Sequence, residues 1–207
     1  VLISGRGSNL EALVRAVRDG RLLARIGIVI SNTAEAGGLA IARDSGIETA
    51  VLSHRAYPSR DAHDRALADA LRQRQVRLVC LAGFMRRLGP SFCEAFPHAV
   101  VNIHPSLLPA FPGLDAQRQA VDHGVKVSGA TVHFVTSELD AGPIIAQRAV
   151  PVLDTDTPEA LSGRVLAVEH DIYAEAVQRV LWEPWRIVGR RVIFGGADPT
   201  RDKLSHP

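Results

Sequence analysis

The sequence predicts an α/β fold: a parallel sheet in the N-terminal half that continues into a mixed sheet with an antiparallel part in the C-terminal half. Three observations predict it. Short apolar runs alternate with helical patterns through the first half, a glycine-rich turn directly follows the first run, and two longer apolar runs lie close enough to pair in the second half.

Runs at 1–4, 25–31, 48–52 and 76–82 are apolar and read as strands, while 8–19, 36–45 and 59–73 carry helical spacing. The chain opens on Val1-Leu2-Ile3 with no Met, so it is expected to start inside the first strand, with a few native residues before it. The run at 99–103 is a buried strand, stopped by Pro105 and Pro109, which cannot continue regular sheet or helix. A Pro- and Gly-rich loop leads to a short helix over 115–123. Runs at 127–135 and 143–152 should then pair antiparallel across 137–142. Thr157 and Pro158 make a cap and first helical position for a long helix to about residue 181, and 186–194 can form a small hairpin. One domain over 1–194 is the economical reading, with halves at about 1–98 and 99–181 and a polar tail over 195–207.

Composition narrows the function classes. The net charge is +2, and the basic residues are scattered among acids, which argues against a duplex nucleic-acid partner. The two cysteines, Cys80 and Cys93, have no zinc or disulfide spacing and read as buried free thiols in a reducing cytoplasm. No apolar run approaches the roughly 20 residues that span a bilayer, and the amino end has no signal-peptide pattern, so a cytoplasmic protein is expected.

The turn Ser4-Gly5-Arg6-Gly7-Ser8-Asn9 follows a strand and opens a helix, with Ser8 and Glu11 spaced as a capping box. Amides at that helix start attract an anion, and glycines let it approach. No Gly-Lys-Ser/Thr follows, and Leu10 stands where a dinucleotide fingerprint has its third glycine, so a phosphate monoester fits better than ATP or NAD. The alternative is a plain tight turn before a capped helix. The first strand of such a sheet is usually central, which would set this turn beside the strand ending at Asn102.

Asn102 and His104 lie two residues apart at a strand end and so point to the same side. A carboxylate near an imidazole favours the imidazolium, which donates well to developing negative charge. Asp140, in the turn Leu139-Asp140-Ala141-Gly142, is the candidate carboxylate; a solvated turn acid is the alternative. Together the three suggest an oxyanion-stabilising site. The other seven histidines have no comparable context. Ser106 follows His104 too closely for a triad, Gly-x-Ser-x-Gly is absent, and no third metal ligand has persuasive spacing.

Four blocks occur in one order: Ser4 to Leu10, Leu81 to Arg86, Asn102 to Pro109, and Val132-His133-Phe134-Val135 leading to Glu138 to Pro143. In these blocks the chain resembles the phosphoribosylglycinamide formyltransferases, the folate-dependent enzymes of purine synthesis, over about 1–181. The segment from Asn102 to Pro109, with Asp140, also resembles other 10-formyltetrahydrofolate enzymes, so the glycine turn is what points to the acceptor.

The resemblance implies a Rossmann-like formyltransferase domain. The amine of glycinamide ribonucleotide attacks the formyl carbon of 10-formyltetrahydrofolate, the co-substrate, with no metal and no covalent enzyme intermediate. By position, His104 is the proton donor and oxyanion partner, Asn102 holds the formyl oxygen, and Asp140 keeps the imidazole protonated. Gly7, Ser8 and Asn9 carry the phosphate, and Glu169 holds the ribose hydroxyls. Met85, Arg86, Arg87 and Leu88 line the folate site through backbone, with Asn102 beside them and Arg60 near the benzoylglutamate end. The partners are small molecules, and either a monomer or a homodimer fits. Without the resemblance, Arg60 reads as a solvated first-turn residue and Glu169 as an exposed helix position. Arg87 replaces an aliphatic residue, Gln117 stands where histidine is common, and Leu166 sits where a polar residue can occur. These departures bear on the folate contacts and on the 107–123 loop, which is expected to close over the site. A formyltetrahydrofolate deformylase, a methionyl-tRNA formyltransferase and a non-catalytic phosphosugar-binding module are the competing readings.

Overall fold

The computed structural model describes residues 1–195, so the tail expected over 195–207 lies, beyond Gly195, outside the described residues. The described residues divide into two compact units, the first Val1–Asn102 and the second from Ile103 onward.

In the first unit β1 (Leu2–Ile3), β2 (Val29–Ser31), β3 (Thr49–Val51), β4 (Val79–Leu81) and β5 (Val100–His104) alternate with α1 (Ser8–Arg18), α2 (Gly38–Asp44), α3 (Arg60–Arg72) and α4 (Pro90–Ala95). The strands run parallel in the order β3-β2-β1-β4-β5. β1, β2 and β4 are buried throughout, as parallel strands covered on both faces must be, which is why they read as unbroken apolar runs. Leu2 pairs with Leu81 and Leu81 with Asn102, so the carboxyl ends of three parallel strands lie at one edge, with β5 running two residues past Asn102 to His104. β4 therefore stands between the glycine turn and β5, and the turn neighbours the segment after β4 rather than Asn102; Ser4 N–H donates to the Gly83 carbonyl at 3.1 Å.

Two local features depart from expectation. No capping box forms at Ser8. Gly7 is the N-cap, in the left-handed region at φ 88°, and Ser8 is already helical. Packing against α2 explains this: a Cβ on Gly7 would stand 2.5 Å from Gly38 Cα, so the chain must enter α1 through a residue without a side chain. α4 was not expected either, because its six residues are too few to establish a helical period; Pro90 at its first turn starts it.

In the second unit β6 (Val127–Phe134) and β7 (Ile144–Pro151) pair antiparallel as expected, with a bulge between Val132 and His133. α5 (Ala116–Asp122) precedes them. α6 (Pro158–Trp182) starts as predicted, with Thr157 Oγ1 accepting from Ala160 N–H at 3.2 Å. Its stripe Leu161, Val165, Ile172, Tyr173, Ala176 and Val180 is buried. The expected terminal hairpin forms from β8 (Trp185–Val188) and β9 (Arg191–Phe194), giving the order β6-β7-β9-β8. Trp185 closes α6 against this hairpin, with its Nε1 donating to the Val180 carbonyl at 3.0 Å and its ring 4.9 Å from that of Phe134. Cys80 and Cys93 are free thiols, Cys80 buried and Cys93 half-buried. Among the described residues no helix is long and apolar enough to cross a membrane.

Gly7→Ala should lower unfolding stability by about 2–4 kcal/mol, combining left-handed backbone strain with overlap at Gly38. Urea denaturation checks this, and an unchanged midpoint would show that the contact between α1 and α2 relaxes freely.

Candidate functional site

His104 ends β5 and is buried, with both ring nitrogens facing acceptors. Nε2 lies 2.9 Å from the Phe111 carbonyl, which can only accept, so Nε2 carries a proton. Nδ1 lies 3.4 Å from Asp140 Oδ2.

Asp140 is not the solvated turn acid that its sequence context allowed, since its side chain is 10% exposed. Backbone geometry puts it there. Asp140 itself has φ 48°, and a Cβ on Gly142 would stand 1.7 Å from the Phe134 carbonyl, so only glycine lets the turn fold back this tightly on β6. Gly113 N–H donates to Asp140 Oδ2 at 2.8 Å, and Arg190 Nη2 donates to the Ala141 carbonyl at 2.7 Å. The turn is thus held from the loop on one side and from the terminal hairpin on the other.

A second imidazole, missed in the sequence, faces the same carboxylate. His133 Nε2 lies 3.8 Å from Asp140 Oδ1, and its Nδ1 lies 2.9 Å from the Phe134 carbonyl. Burial pushes the His133 imidazole below the usual histidine range, against the Phe134 hydrogen bond and the Asp140 charge, while His104 adds to the lowering. The neutral form of His133 leaves the Asp140 charge to His104. A lone histidine in an apolar strand gives no hint of this; only the bulge beside it re-aims the ring.

The loop after β5 is tied down at several points. Ser106 Oγ donates to the Ala110 carbonyl at 2.6 Å, which makes Ser106 structural. Leu108 N–H donates to Thr131 Oγ1 at 3.0 Å, and Gln147 Nε2 donates to the Leu108 carbonyl at 2.8 Å.

Asn102, half-buried, shares β5 with His104 two residues on. Glu169 is 6% exposed on the buried stripe of α6, which overturns its reading as an exposed helix position. In the first unit the Glu11 N–H bond to the Gly7 carbonyl at 2.8 Å is the first of α1, so the amides of Ser8, Asn9 and Leu10 precede the helical ladder. A Cβ on Gly5 would meet nothing within 4 Å, leaving open space on the turn. Arg60 opens α3 on the surface, Met85 is 67% exposed, Arg86 and Arg87 are at least partly exposed, and Leu88 is buried. Gln117 and Leu166 are half-buried on α5 and α6. Among the described residues no cluster of three or more His, Cys, Asp or Glu side chains is arranged to hold a metal ion.

An imidazole held between a carboxylate and an acceptor, on a parallel α/β scaffold, defines an acid-base site that can act on a carbonyl. The family described as formyl transferase matches residues 1–177, and the chain belongs to that family. It is 50% identical over 180 residues to the trifunctional purine biosynthetic protein adenosine-3 of Bos taurus, covering 87% of this chain and 18% of that protein. The chain thus spans less than a fifth of the length of that relative. It is 46% identical over 173 residues to the phosphoribosylglycinamide formyltransferase of Escherichia coli strain K12, covering 84% of this chain and 82% of that one. Among solved structures, glycinamide ribonucleotide transformylase 1 from Symbiobacterium toebii superposes with a TM-score of 0.92 at 54% identity, covering 93% of this chain and 91% of that one. A formyltetrahydrofolate deformylase from Pseudomonas syringae superposes with 0.85 at 30% identity, covering 93% and 64%.

A histidine pushed down in the folded state binds fewer protons than in the unfolded chain, so stability falls as pH drops below about 6.5, the unfolded value. Urea denaturation at pH 7, 6 and 5 should show this fall, and His133→Gln should flatten it. An identical slope in the variant would assign the acid loss to other groups.

Proposed function

We propose that the protein transfers the formyl group of 10-formyltetrahydrofolate to the amine of 5'-phosphoribosylglycinamide, giving the N-formyl product and tetrahydrofolate. The observation that carries this reading is His104 held with Nδ1 3.4 Å from Asp140 and Nε2 2.9 Å from a carbonyl oxygen. It is also the activity in the name of the E. coli relative, and the likeness to that relative extends over most of both chains.

The amine lone pair attacks the formyl carbon and the carbonyl electrons move to oxygen. The side-chain amide of Asn102 and Nε2–H of His104 donate to that oxyanion, and the Asp140 carboxylate balances the imidazolium charge. The bond to folate N10 then breaks, the amine loses its proton and N10 gains one. In the structure Nε2–H is spent on the Phe111 carbonyl, so the formyl oxygen takes the place of that carbonyl when the loop withdraws. Gly7, Ser8 and Asn9 receive the phosphate at the start of α1, and Glu169 the ribose hydroxyls. Arg60, Asn102 and the segment Met85 to Leu88 hold the folate.

Purified protein is mixed with 10-formyltetrahydrofolate, with and without phosphoribosylglycinamide, following folate absorbance and formylated product. Turnover should require the amine. Amine-independent release of formate would make the protein a deformylase, and phosphosugar binding without turnover would make it a binding module. Asp140→Asn should cut kcat by about 100-fold. A wild-type kcat in that variant would remove Asp140 from the mechanism.

A further inference from the structure

Asp64 is a buried carboxylate, 2% exposed, for which the proposed chemistry has no use. It lies one turn after Arg60 on α3, so the two share a helix face. A buried carboxylate costs several kcal/mol unless its oxygens are matched, so what matches it is informative. Oδ2 accepts Gly89 N–H at 2.7 Å, and Oδ1 lies 3.8 Å from His63 Nδ1. His63 is anchored in turn, its Nε2 2.9 Å from the Leu52 carbonyl.

Gly89 directly follows Leu88 and is the N-cap residue of α4. A Cβ there would lie 2.9 Å from Asp64 Oδ2 and 3.7 Å from Arg60 Nε, so the carboxylate, the Arg60 stem and the end of the segment are packed together. One turn earlier on the same helix, Asp61 Oδ1 accepts from Ser91 Oγ at 2.6 Å. The other end of the segment is fixed independently, Met85 N–H donating to Ser4 Oγ at 2.8 Å. Residues 85–89 are therefore tethered at both ends while the Met85 side chain stays 67% exposed.

We propose that Asp64 is a positioning residue for the folate: its bond to Gly89 sets segment 85–88 at a fixed distance from Arg60, so that one helix gauges both the pteridine-facing backbone and the guanidinium for the far end. This rests on the reading that Arg60 and residues 85–88 hold the folate.

The test compares Asp64→Leu, Asp64→Asn and Gly89→Ala in the full chain, by steady-state kinetics in each substrate and by thermal melting. Asp64→Leu should raise KM for 10-formyltetrahydrofolate by about tenfold, with kcat and KM for phosphoribosylglycinamide within about twofold. Asp64→Asn keeps an acceptor for Gly89 N–H and should stay within about threefold of wild type. Gly89→Ala keeps both groups but forces them apart, and should raise the folate KM alone. Should Asp64→Leu fail to fold, the Gly89→Ala result decides. An unchanged folate KM, an equal loss for both substrates that tracks the melting temperature, or an Asn variant as impaired as the Leu variant would each overturn the proposal. Wild-type protein that turns over no folate sinks the functional reading itself, a result distinct from all of these.

Discussion

One carboxylate shared by two imidazoles is the constraint on which the second unit depends. Asp140 faces His104 at 3.4 Å and His133 at 3.8 Å, and a single negative charge stabilises one proton well and two poorly. Burial breaks the tie. It disfavours the charged form of His133, which leaves the carboxylate facing His104 at the shorter distance. The asymmetry is built by backbone: the bulge between Val132 and His133 sets one ring, and the left-handed Asp140 sets the carboxylate. Gly142 is needed because any Cβ would run into the Phe134 carbonyl. Arg190, at the tip of the terminal hairpin, then braces the carbonyl next to Asp140, which gives β8 and β9 a role in the site although they lie beyond the stretch the family matches.

The first unit is governed by close backbone approach. Gly7 must be glycine because of Gly38, and that contact fixes where α1 begins. The amides at that start are then presented at the edge where the parallel strands β1, β4 and β5 have their carboxyl ends. The segment after β4 leaves the same edge under two tethers, Ser4 at its start and Asp64 at its end. Both tethers spend side-chain acceptors on backbone N–H groups, so the segment keeps its shape without covering its own surface.

Legibility in the sequence followed the range of the forces. The parallel strands, the β6 and β7 pair and the start of α6 were readable because apolar runs and Thr-Pro capping are local signals. The place of Asn102 and His104 at the end of a strand was readable because Pro105 stops the strand there. His133 was not, because its role depends on a bulge and on a turn seven residues away. Ser8 was misassigned as half of a capping box because the Ser-to-Glu spacing is local, whereas the contact that overrides it comes from Gly38. The reading of Glu169 as an exposed helix position failed in the same way: charge suggests exposure, and only the packing of α6 shows it buried. Asp64 lay in a run of polar helix residues with nothing to mark it off from Asp61 or Asp69.

The bond between His104 and Phe111 bears on how such a site can be both quiescent and ready. A carbonyl oxygen already faces Nε2, so under the proposed reaction a formyl oxygen in its place would exchange like for like and cost His104 little. The cost of opening falls instead on the loop's other bonds, chiefly Gly113 N–H to Asp140 and Leu108 N–H to Thr131. These differ in consequence. Breaking the Gly113 bond would leave Oδ2 of Asp140 to face His104 alone. Leu108 is buried and bonded both to Thr131 and to Gln147, which makes it the natural fixed point about which residues 109–113 would swing.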